Sequence, residues 1–232
     1  MTSPILFGLG HDRALGEALT EHLLSAVPVA ADASVVDVLA DGVLSRALQT
    51  RLGPQGRLII VEPGTVRERL PLDDASADAV FSLLTLGFGN APPLLAEMRR
   101  VARRPGAVAA LVYDASHPPA QEAPLLDALR EHGVPSPFYD QLLPEDLLDA
   151  AREDEFTAES VRDVARFDGP AHYWNTMVVQ RELAADLQGL DADTVAALQA
   201  SVARSLRPHL AADDTLRIPV TAVLLRGAAA VS

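Results

Sequence analysis

The chain has 232 residues, of which 49% are hydrophobic, so it is long enough to bury a large core. Its formal net charge of -13 opposes binding to nucleic acids or anionic membranes, and the absence of cysteine excludes disulfides and thiol chemistry. No apolar run reaches membrane-spanning length and no signal peptide is recognisable, so we expect a cytoplasmic protein.

The first half of the chain alternates amphipathic segments with short buried apolar runs, which is typical of an α/β fold. Helices are predicted where apolar residues recur at helical spacing, and strands where β-branched runs stand between turns. In chain order the predicted elements are a helix over Arg13–Val27, a strand over Ser34–Leu39, a helix over Val43–Leu52, a strand over Leu58–Val61, a strand over Asp78–Leu86, a helix over Pro92–Arg103 and, after a turn at Arg104-Pro105-Gly106, a strand over Ala107–Tyr113.

The second half is richer in proline and has longer helical patterns. Four arginines, Arg99, Arg100, Arg103 and Arg104, precede it and are interpreted as a solvated helix end that complements the helix dipole. The elements predicted after Tyr113 are helices over Gln121–His132 and Glu145–Arg152, an outer strand over Ser160–Phe167, helices over Pro170–Leu187 and Ala192–Leu206, and a last strand over Leu216–Arg226.

The segment Ser34–Glu62 reads as a strand, a helix and a second strand, which form a right-handed unit with parallel strands. Ligands of open parallel sheets bind at the carboxyl ends of the strands. This rule places a candidate site at Asp37–Gly42 and Glu62.

Several motifs, in their order along the chain, resemble those of the class I S-adenosylmethionine-dependent methyltransferases, in the UbiE-like small-molecule branch. The resemblance implies one domain over residues 1–232, with a mostly parallel twisted sheet, helices on both faces and an antiparallel strand near one edge, and lid segments at 1–30, 115–150 and 170–208. The matching stretches are Val35-Val36-Asp37, Gly53-Pro54-Gln55-Gly56-Arg57, Leu70-Pro71-Leu72-Asp73 with Ser76 and Asp78, Arg104-Pro105-Gly106, Pro137-Phe138, Ala171-His172-Tyr173-Trp174 and Leu216-Arg217-Ile218-Pro219.

The cofactor half departs from the family pattern. Family members carry an Asp-x-Gly-x-Gly-x-Gly loop, whereas here Leu39 and Asp41 stand in that loop and only Gly42 fits. The interval from Pro63 to Ala77 is too short for the usual crossover helix and strand, so we expect one edge strand and its helix to be lost. We therefore expect no cofactor.

If S-adenosylmethionine does bind, the resemblance assigns it to Asp37, Gly42 and Glu62. Glu62 would then bind the ribose hydroxyls. The alternative interpretation of Glu62 is an exposed acid that ends a strand.

The resemblance places His172, Tyr173 and Asp114 as candidate catalytic residues near a substrate pocket. A histidine that titrates near neutrality can act as acid or base, and a carboxylate can orient a ligand. Packing at a helix start and a turn cap are the structural alternatives for these residues. The predicted pocket residues are Phe88, His117, Phe138, Tyr139 and Trp174, and no cluster has the spacing of metal ligands.

Three functions remain open from the sequence. The first is an enzyme of specialised metabolism that keeps the methyltransferase fold and cyclises, isomerises or eliminates an apolar small molecule without S-adenosylmethionine. The second is an active small-molecule methyltransferase. The third is a non-catalytic subunit paired with an active homologue; a homodimer is also possible, whereas nucleic acid and membrane partners are not expected.

Overall fold

The computed structural model describes residues 13–38, 42–62, 69–84, 86, 91–113, 122–134, 146–153, 155–179, 187 and 189–229. Contacts divide the chain into two compact units. The first comprises Met1–Ala115, Leu143–Val161 and Ala222–Ser232, and the second comprises Ser116–Leu142 and Arg162–Thr221. The assignment of one domain with three lid segments stays a prediction. None of the helices in the described ranges is long and apolar enough to cross a lipid bilayer.

The elements alternate along the chain as the sequence pattern indicates. Short apolar runs form the strands, and segments with an apolar stripe form the helices. The strands are β1 (Ser34–Val38), β2 (Arg57–Val61), β3 (Ala77–Leu83), β4 (Ala102–Tyr113), β5 (Thr157–Phe167) and β6 (Leu216–Ala228). The helices are α1 (Arg13–Ala26), α2 (Val43–Arg51), α3 (Ala91–Val101), α4 (Ala123–Glu131), α5 (Asp146–Glu153), α6 (Pro170–Trp174) and α7 (Ala192–Leu206).

The strands form one six-stranded sheet in the order β2-β1-β3-β4-β6-β5. β1 pairs in parallel with β2 and β3, and β3 pairs in parallel with β4. β6 is antiparallel to β4 and lies one strand from the edge. The prediction of a mostly parallel α/β sheet with an antiparallel strand near one edge is confirmed.

Both faces of the central strands are buried, which explains why their sequences are continuous apolar runs. Val36 and Val80 pack on the side of α3, in a cluster that also holds Leu95 and Met98 of that helix. Val35 and Phe81, at alternate positions of the same strands, are also buried but lie outside this cluster. Helices therefore cover both faces of the sheet.

The predicted end of β3 and the predicted start of β4 differ from the observed ones. β3 ends at Leu83 rather than Leu86, because Leu84 has a left-handed backbone (φ 54°) that a strand cannot continue. β4 begins at Ala102, so Gly106 lies within a strand instead of a turn. The register between β3 and β4 shifts there, and a side chain on Gly106 would clash with the carbonyl oxygen of Arg103, so only glycine fits.

One predicted helix in the second unit is also different. The segment that begins at Pro170 is an α-helix only to Trp174 and continues as a π-helical turn over Asn175–Val179. The remainder of that predicted helix, after Val179, lies largely outside the described residues. In the same unit α4 packs against α7, and the imidazole Nε2 of His132 lies 2.9 Å from the hydroxyl of Ser201.

The sheet ends at β2 on one side, where the sequence predicted the loss of a strand. Between β2 and β3, residues 69–76 form neither helix nor strand, and residues 63–68 lie outside the described part. For the described residues the predicted absence of the crossover helix and edge strand is therefore confirmed.

Candidate functional site

The carboxyl ends of β1 and β2 meet at the edge where the sequence predicted a site. Val38 is the register partner of Val61, so the residues that follow these two strands start side by side. Glu62 comes directly after Val61 and its side chain is exposed. An exposed carboxylate at this position can accept hydrogen bonds from the hydroxyl groups of a ligand.

Gly42 marks the start of α2, which follows β1. Its backbone is left-handed (φ 90°), a conformation that strains any residue with a side chain. A Cβ placed on Gly42 would meet no atom of the described residues within 4 Å, so the described part of the structure leaves the space beside this backbone open. The glycine therefore provides both the turn into α2 and an approach to the backbone at the helix start.

Asp37 and Ser45 fix α2 against β1. Asp37 is 1% exposed, and its carboxylate accepts a hydrogen bond of 2.5 Å from the hydroxyl of Ser45, which is also buried. Sequence reasoning assigned Asp37 and missed Ser45. The available signal was a small polar residue among Val43, Leu44 and Leu48 on the buried side of α2.

Helix α1 lies close to the same helix start. A Cβ added to Gly16 would lie 3.2 Å from both γ-carbons of Val43, the first residue of α2. This contact is tighter than most side chains tolerate, so a small residue at position 16 lets the two helices approach. The helix start next to Gly42 is thus packed from the side of α1.

Arg100 holds the segment that leads from the β2 end to β3. Its guanidinium donates to the carbonyl oxygens of Leu70 (3.2 Å) and Leu72 (2.9 Å), and to the carboxylates of Asp74 (2.5 Å) and Glu97 (2.7 Å). Glu97 in turn accepts from the backbone N–H of Leu70 at 2.9 Å. The interpretation of this arginine as a solvated helix end is therefore wrong: it clamps residues 70–74 to α3.

The same hydrogen bonds change the pKa values of the two carboxyl groups that Arg100 contacts, those of Asp74 and Glu97. The Arg100 guanidinium, by donating to Glu97, lowers the pKa of that carboxyl below its ordinary range, and burial opposes the shift only in part. Arg100 likewise lowers the pKa of Asp74 by hydrogen bonding. Both carboxylates are therefore held in their charged form around the loop.

A second arginine, Arg103, lies at the opposite end of the sheet, where β1 and β3 begin. Burial would raise the pKa of Asp78, but hydrogen bonds from Arg103 and from the backbone N–H of Ser34 outweigh it, and the net pKa is lowered. The bond from Ser34 is 2.7 Å long. Asp78 thus ties the starts of β1 and β3 to Arg103 in β4.

The second unit contains the predicted His172, Tyr173 and Trp174 on α6. The Nδ1 atom of His172 accepts a hydrogen bond of 3.0 Å from the backbone N–H of Asp168, and the carboxylate of Asp168 lies 3.5 Å away. Because Nδ1 is an acceptor, the neutral ring carries its proton on Nε2. In this arrangement His172, whose side chain is 44% exposed, presents a donor rather than a base.

Tyr173 is completely buried and packs edge-on against Phe167, with ring centroids 5.2 Å apart. Phe167 also contacts the ring of His172, and Trp174 is half-buried. The burial of Tyr173 favours packing over a place at the rim of a pocket. The catalytic assignments of His172 and Tyr173, and the pocket assignment of Trp174, stay predictions.

The remaining predicted site residues have no described structure. They come from the loops after β3 and β4 and from the segment before α5. Asp114, Phe88, His117, Phe138 and Tyr139 lie outside the described residues, as do Leu39 and Asp41, and their assignments stay predictions. Within the described ranges, no group of three or more histidine, aspartate and glutamate side chains is placed to hold a metal ion.

Known structures resemble the chain over almost its whole length. A candidate methyltransferase from an antibiotic biosynthesis pathway of Anabaena variabilis has a TM-score of 0.56 and 15% identity, over 90% of this chain and 95% of its own. A candidate methyltransferase of Bacillus halodurans has a TM-score of 0.50 and 13% identity, over 91% of this chain and 99% of its own. The YcgJ protein of Bacillus subtilis has a TM-score of 0.50 and 12% identity, over 92% and 98%.

The chain has the fold of the class I S-adenosylmethionine-dependent methyltransferases. No protein-family model matches the sequence, and no curated protein matches it. The identities are low, so the similarity establishes the methyltransferase fold and leaves the activity to be proposed.

The expectation of a protein that works without a cofactor is corrected by this similarity. Two of the proteins that share this fold, over 95% and 99% of their own length, are described as candidate methyltransferases, and methyl transfer requires a methyl donor.

Proposed function

We propose that the protein is an S-adenosylmethionine-dependent methyltransferase that acts on a small molecule. The observation that carries the proposal is the pair formed by Gly42 and Glu62 at the carboxyl edge of β1 and β2. Gly42, at the start of the helix that follows β1, offers an open backbone among the described residues, and Glu62, directly after the neighbouring strand β2, offers an exposed carboxylate.

The described residues fit this cofactor. The space beside Gly42 is one that a Cβ would fill, so a ligand can approach the backbone there. Glu62 offers oxygen acceptors for the two ribose hydroxyls, which are donors. When bound, the cofactor supplies an electrophilic methyl group attached to a positively charged sulfur.

Asp37 acts indirectly in this proposal. Its carboxylate is buried and bonded to Ser45, so it holds the start of α2 in place and leaves the contact with the ligand to Gly42. Because positioning errors of about 1 Å are costly at a reactive site, the rigidity of this helix start contributes to function.

On the substrate side, His172 is proposed to contact the acceptor molecule. Because Nδ1 accepts from the backbone N–H of Asp168, Nε2 is the nitrogen that donates, and the same hydrogen bond holds the ring. A group fixed in this way orients a substrate oxygen or nitrogen by hydrogen bonding. It would need to move its proton to Nδ1, and lose the bond from Asp168, before it could accept a proton at Nε2.

The proposal is tested by calorimetric titration with S-adenosylhomocysteine, the demethylated product, because the acceptor substrate is not needed. The wild type should bind, and Glu62→Gln should bind more weakly by about tenfold, since a hydrogen bond to a charged acceptor contributes about 1.5–3 kcal/mol. Glu153→Gln, at an exposed acid on α5, is the matched control and should bind like the wild type. Equal affinities for all three proteins would show that Glu62 does not contact the ligand.

A further inference from the structure

The two edges of the sheet differ in how they are protected from other chains. β5 carries charged side chains along its length, namely Glu159, Arg162, Asp163 and Arg166. Charges on an edge strand discourage pairing with a second molecule. The β5 edge therefore has the composition of a strand that stays at a surface.

Among the described residues β2 forms the other edge of the sheet, and it has the opposite composition. Between Arg57 and Glu62 it contains only apolar residues, and Ile60 is 45% exposed. Ile60 is one of two exposed large hydrophobic side chains in the described ranges; the other is Leu210, outside the sheet. A β-branched apolar strand at the end of a sheet is a template for pairing with another strand.

We propose that β2 is the contact through which two copies of this chain pair, antiparallel and about a two-fold axis. The opposite charges at the two ends of β2 favour a second copy of this chain as the partner. Arg57 opens the strand and Glu62 follows its last residue, so antiparallel pairing brings Arg57 of each copy to the Glu62 end of the other. Parallel pairing would place like charges together, which is unfavourable.

A two-fold contact of this kind uses the same surface on both copies, as isologous dimers do. It joins the two sheets into one and covers the apolar side chains Leu58 and Ile60 of both molecules. A strand of five residues is a small interface, and we therefore expect a weak dimer with a dissociation constant on the order of micromolar.

The first test is the mass of the full chain by sedimentation velocity over a range of concentrations. The wild type should shift from monomer to dimer as concentration rises, and Ile60→Lys should remain monomeric, because it puts a charge on the contact. Leu210→Lys removes the other exposed hydrophobic side chain and should dimerise like the wild type. A wild type that stays monomeric up to about 1 mM, or an Ile60→Lys variant that dimerises normally, would overturn the proposal.

Charge reversal tests the antiparallel arrangement separately. Arg57→Glu should weaken the dimer about tenfold, because two attractive pairs become repulsive, and Arg57→Glu combined with Glu62→Arg should restore it. The readout is mass alone, since Glu62 also belongs to the proposed cofactor site. Failure of the double variant to restore the dimer, while its circular dichroism matches the wild type, would contradict the pairing of these charges.

Hydrogen exchange gives a measurement that needs no variant. Amides of β2 that do not bond to β1 should exchange more slowly at a concentration where the dimer dominates. Unchanged exchange in Arg57–Val61, with slower exchange elsewhere, would place the contact on another surface and overturn the proposal.

Discussion

The hydroxyl of Ser45 donates a hydrogen bond of 2.5 Å to the carboxylate of Asp37, and both side chains are buried. Ser45→Ala leaves that carboxylate with one donor fewer inside the protein. We expect this to lower the free energy of unfolding by about 1–3 kcal/mol, measured by urea denaturation. The control is Thr50→Ala on the same helix, where an exposed hydroxyl donates to the carbonyl of Ala47 and its loss should cost less than about 0.5 kcal/mol. Similar costs for both variants would contradict a special role for the Asp37 contact.

Arg100 should be more important for stability than other ion-paired arginines. Its side chain is 17% exposed and that of Glu97 is 16% exposed, so Arg100→Met leaves a largely buried carboxylate without its main donor. We expect a loss of about 2–4 kcal/mol in the free energy of unfolding. Arg130→Met, which removes an exposed pair with Asp127 at the same helical spacing, should cost less than about 1 kcal/mol. Equal losses would mean that the segment from Leu70 to Asp74 does not depend on the clamp.

The free energy of unfolding should fall at acidic pH because Glu97 loses its charge beside Arg100. The pKa of Glu97 is lower in the folded protein than in the unfolded chain, so the folded state gains stability above the ordinary pKa of a glutamate. That contribution is lost as the pH falls through the lowered folded pKa. Urea denaturation between about pH 6 and pH 3 should show a smaller loss for Glu97→Gln than for the wild type. Parallel curves for the two proteins would contradict this source of acid sensitivity.

The tautomer of His172 can be determined directly by nuclear magnetic resonance. At about pH 8, where a histidine is ordinarily neutral, a long-range proton–nitrogen spectrum should show the proton on Nε2 and none on Nδ1, because Nδ1 accepts from the N–H of Asp168. His172→Asn can keep an acceptor near this position and should retain more of the helix-start stability than His172→Ala. A proton on Nδ1 would show that the hydrogen bond does not form in solution.

The central strands β1 and β3 were predictable because they are largely buried on both faces, so their sequences are mostly apolar runs. The absence of a strand beyond β2 in the described part of the chain was predictable from spacing, since the interval from Pro63 to Ala77 is too short for a crossover helix and a further strand. Contacts across long stretches of sequence were not predictable. Arg100 looked like a helix-end charge because its acceptors, Leu70 and Leu72, lie about 30 residues earlier.

The candidate site was predictable in part for the same reason. The position of Gly42 and Glu62 follows from the rule that ligands bind at the carboxyl ends of parallel strands. The burial of Tyr173 did not follow from its sequence, because a tyrosine next to a histidine at a helix start fits a pocket rim and a packed core equally well. Its contact with Phe167 favours the packed core, and only the fold brings those two rings together.

The central claim is that the backbone at Gly42 receives S-adenosylmethionine, and the chain offers a matched control for it. Gly133 is also left-handed (φ 66°), and no atom of the described residues lies within 4 Å of an added Cβ there, but Gly133 follows α4 in the second unit. Alanine at either position should lower the free energy of unfolding by a similar amount, about 1–2 kcal/mol, because each substitution forces a side chain into the left-handed region.

Calorimetric titration of S-adenosylmethionine into the wild type, Gly42→Ala and Gly133→Ala therefore separates strain from binding. We predict that the wild type and Gly133→Ala bind with the same dissociation constant, in the micromolar range, and that Gly42→Ala binds at least about tenfold more weakly. A wild type that does not bind at about 1 mM cofactor, or equal affinities for both alanine variants, would contradict the account.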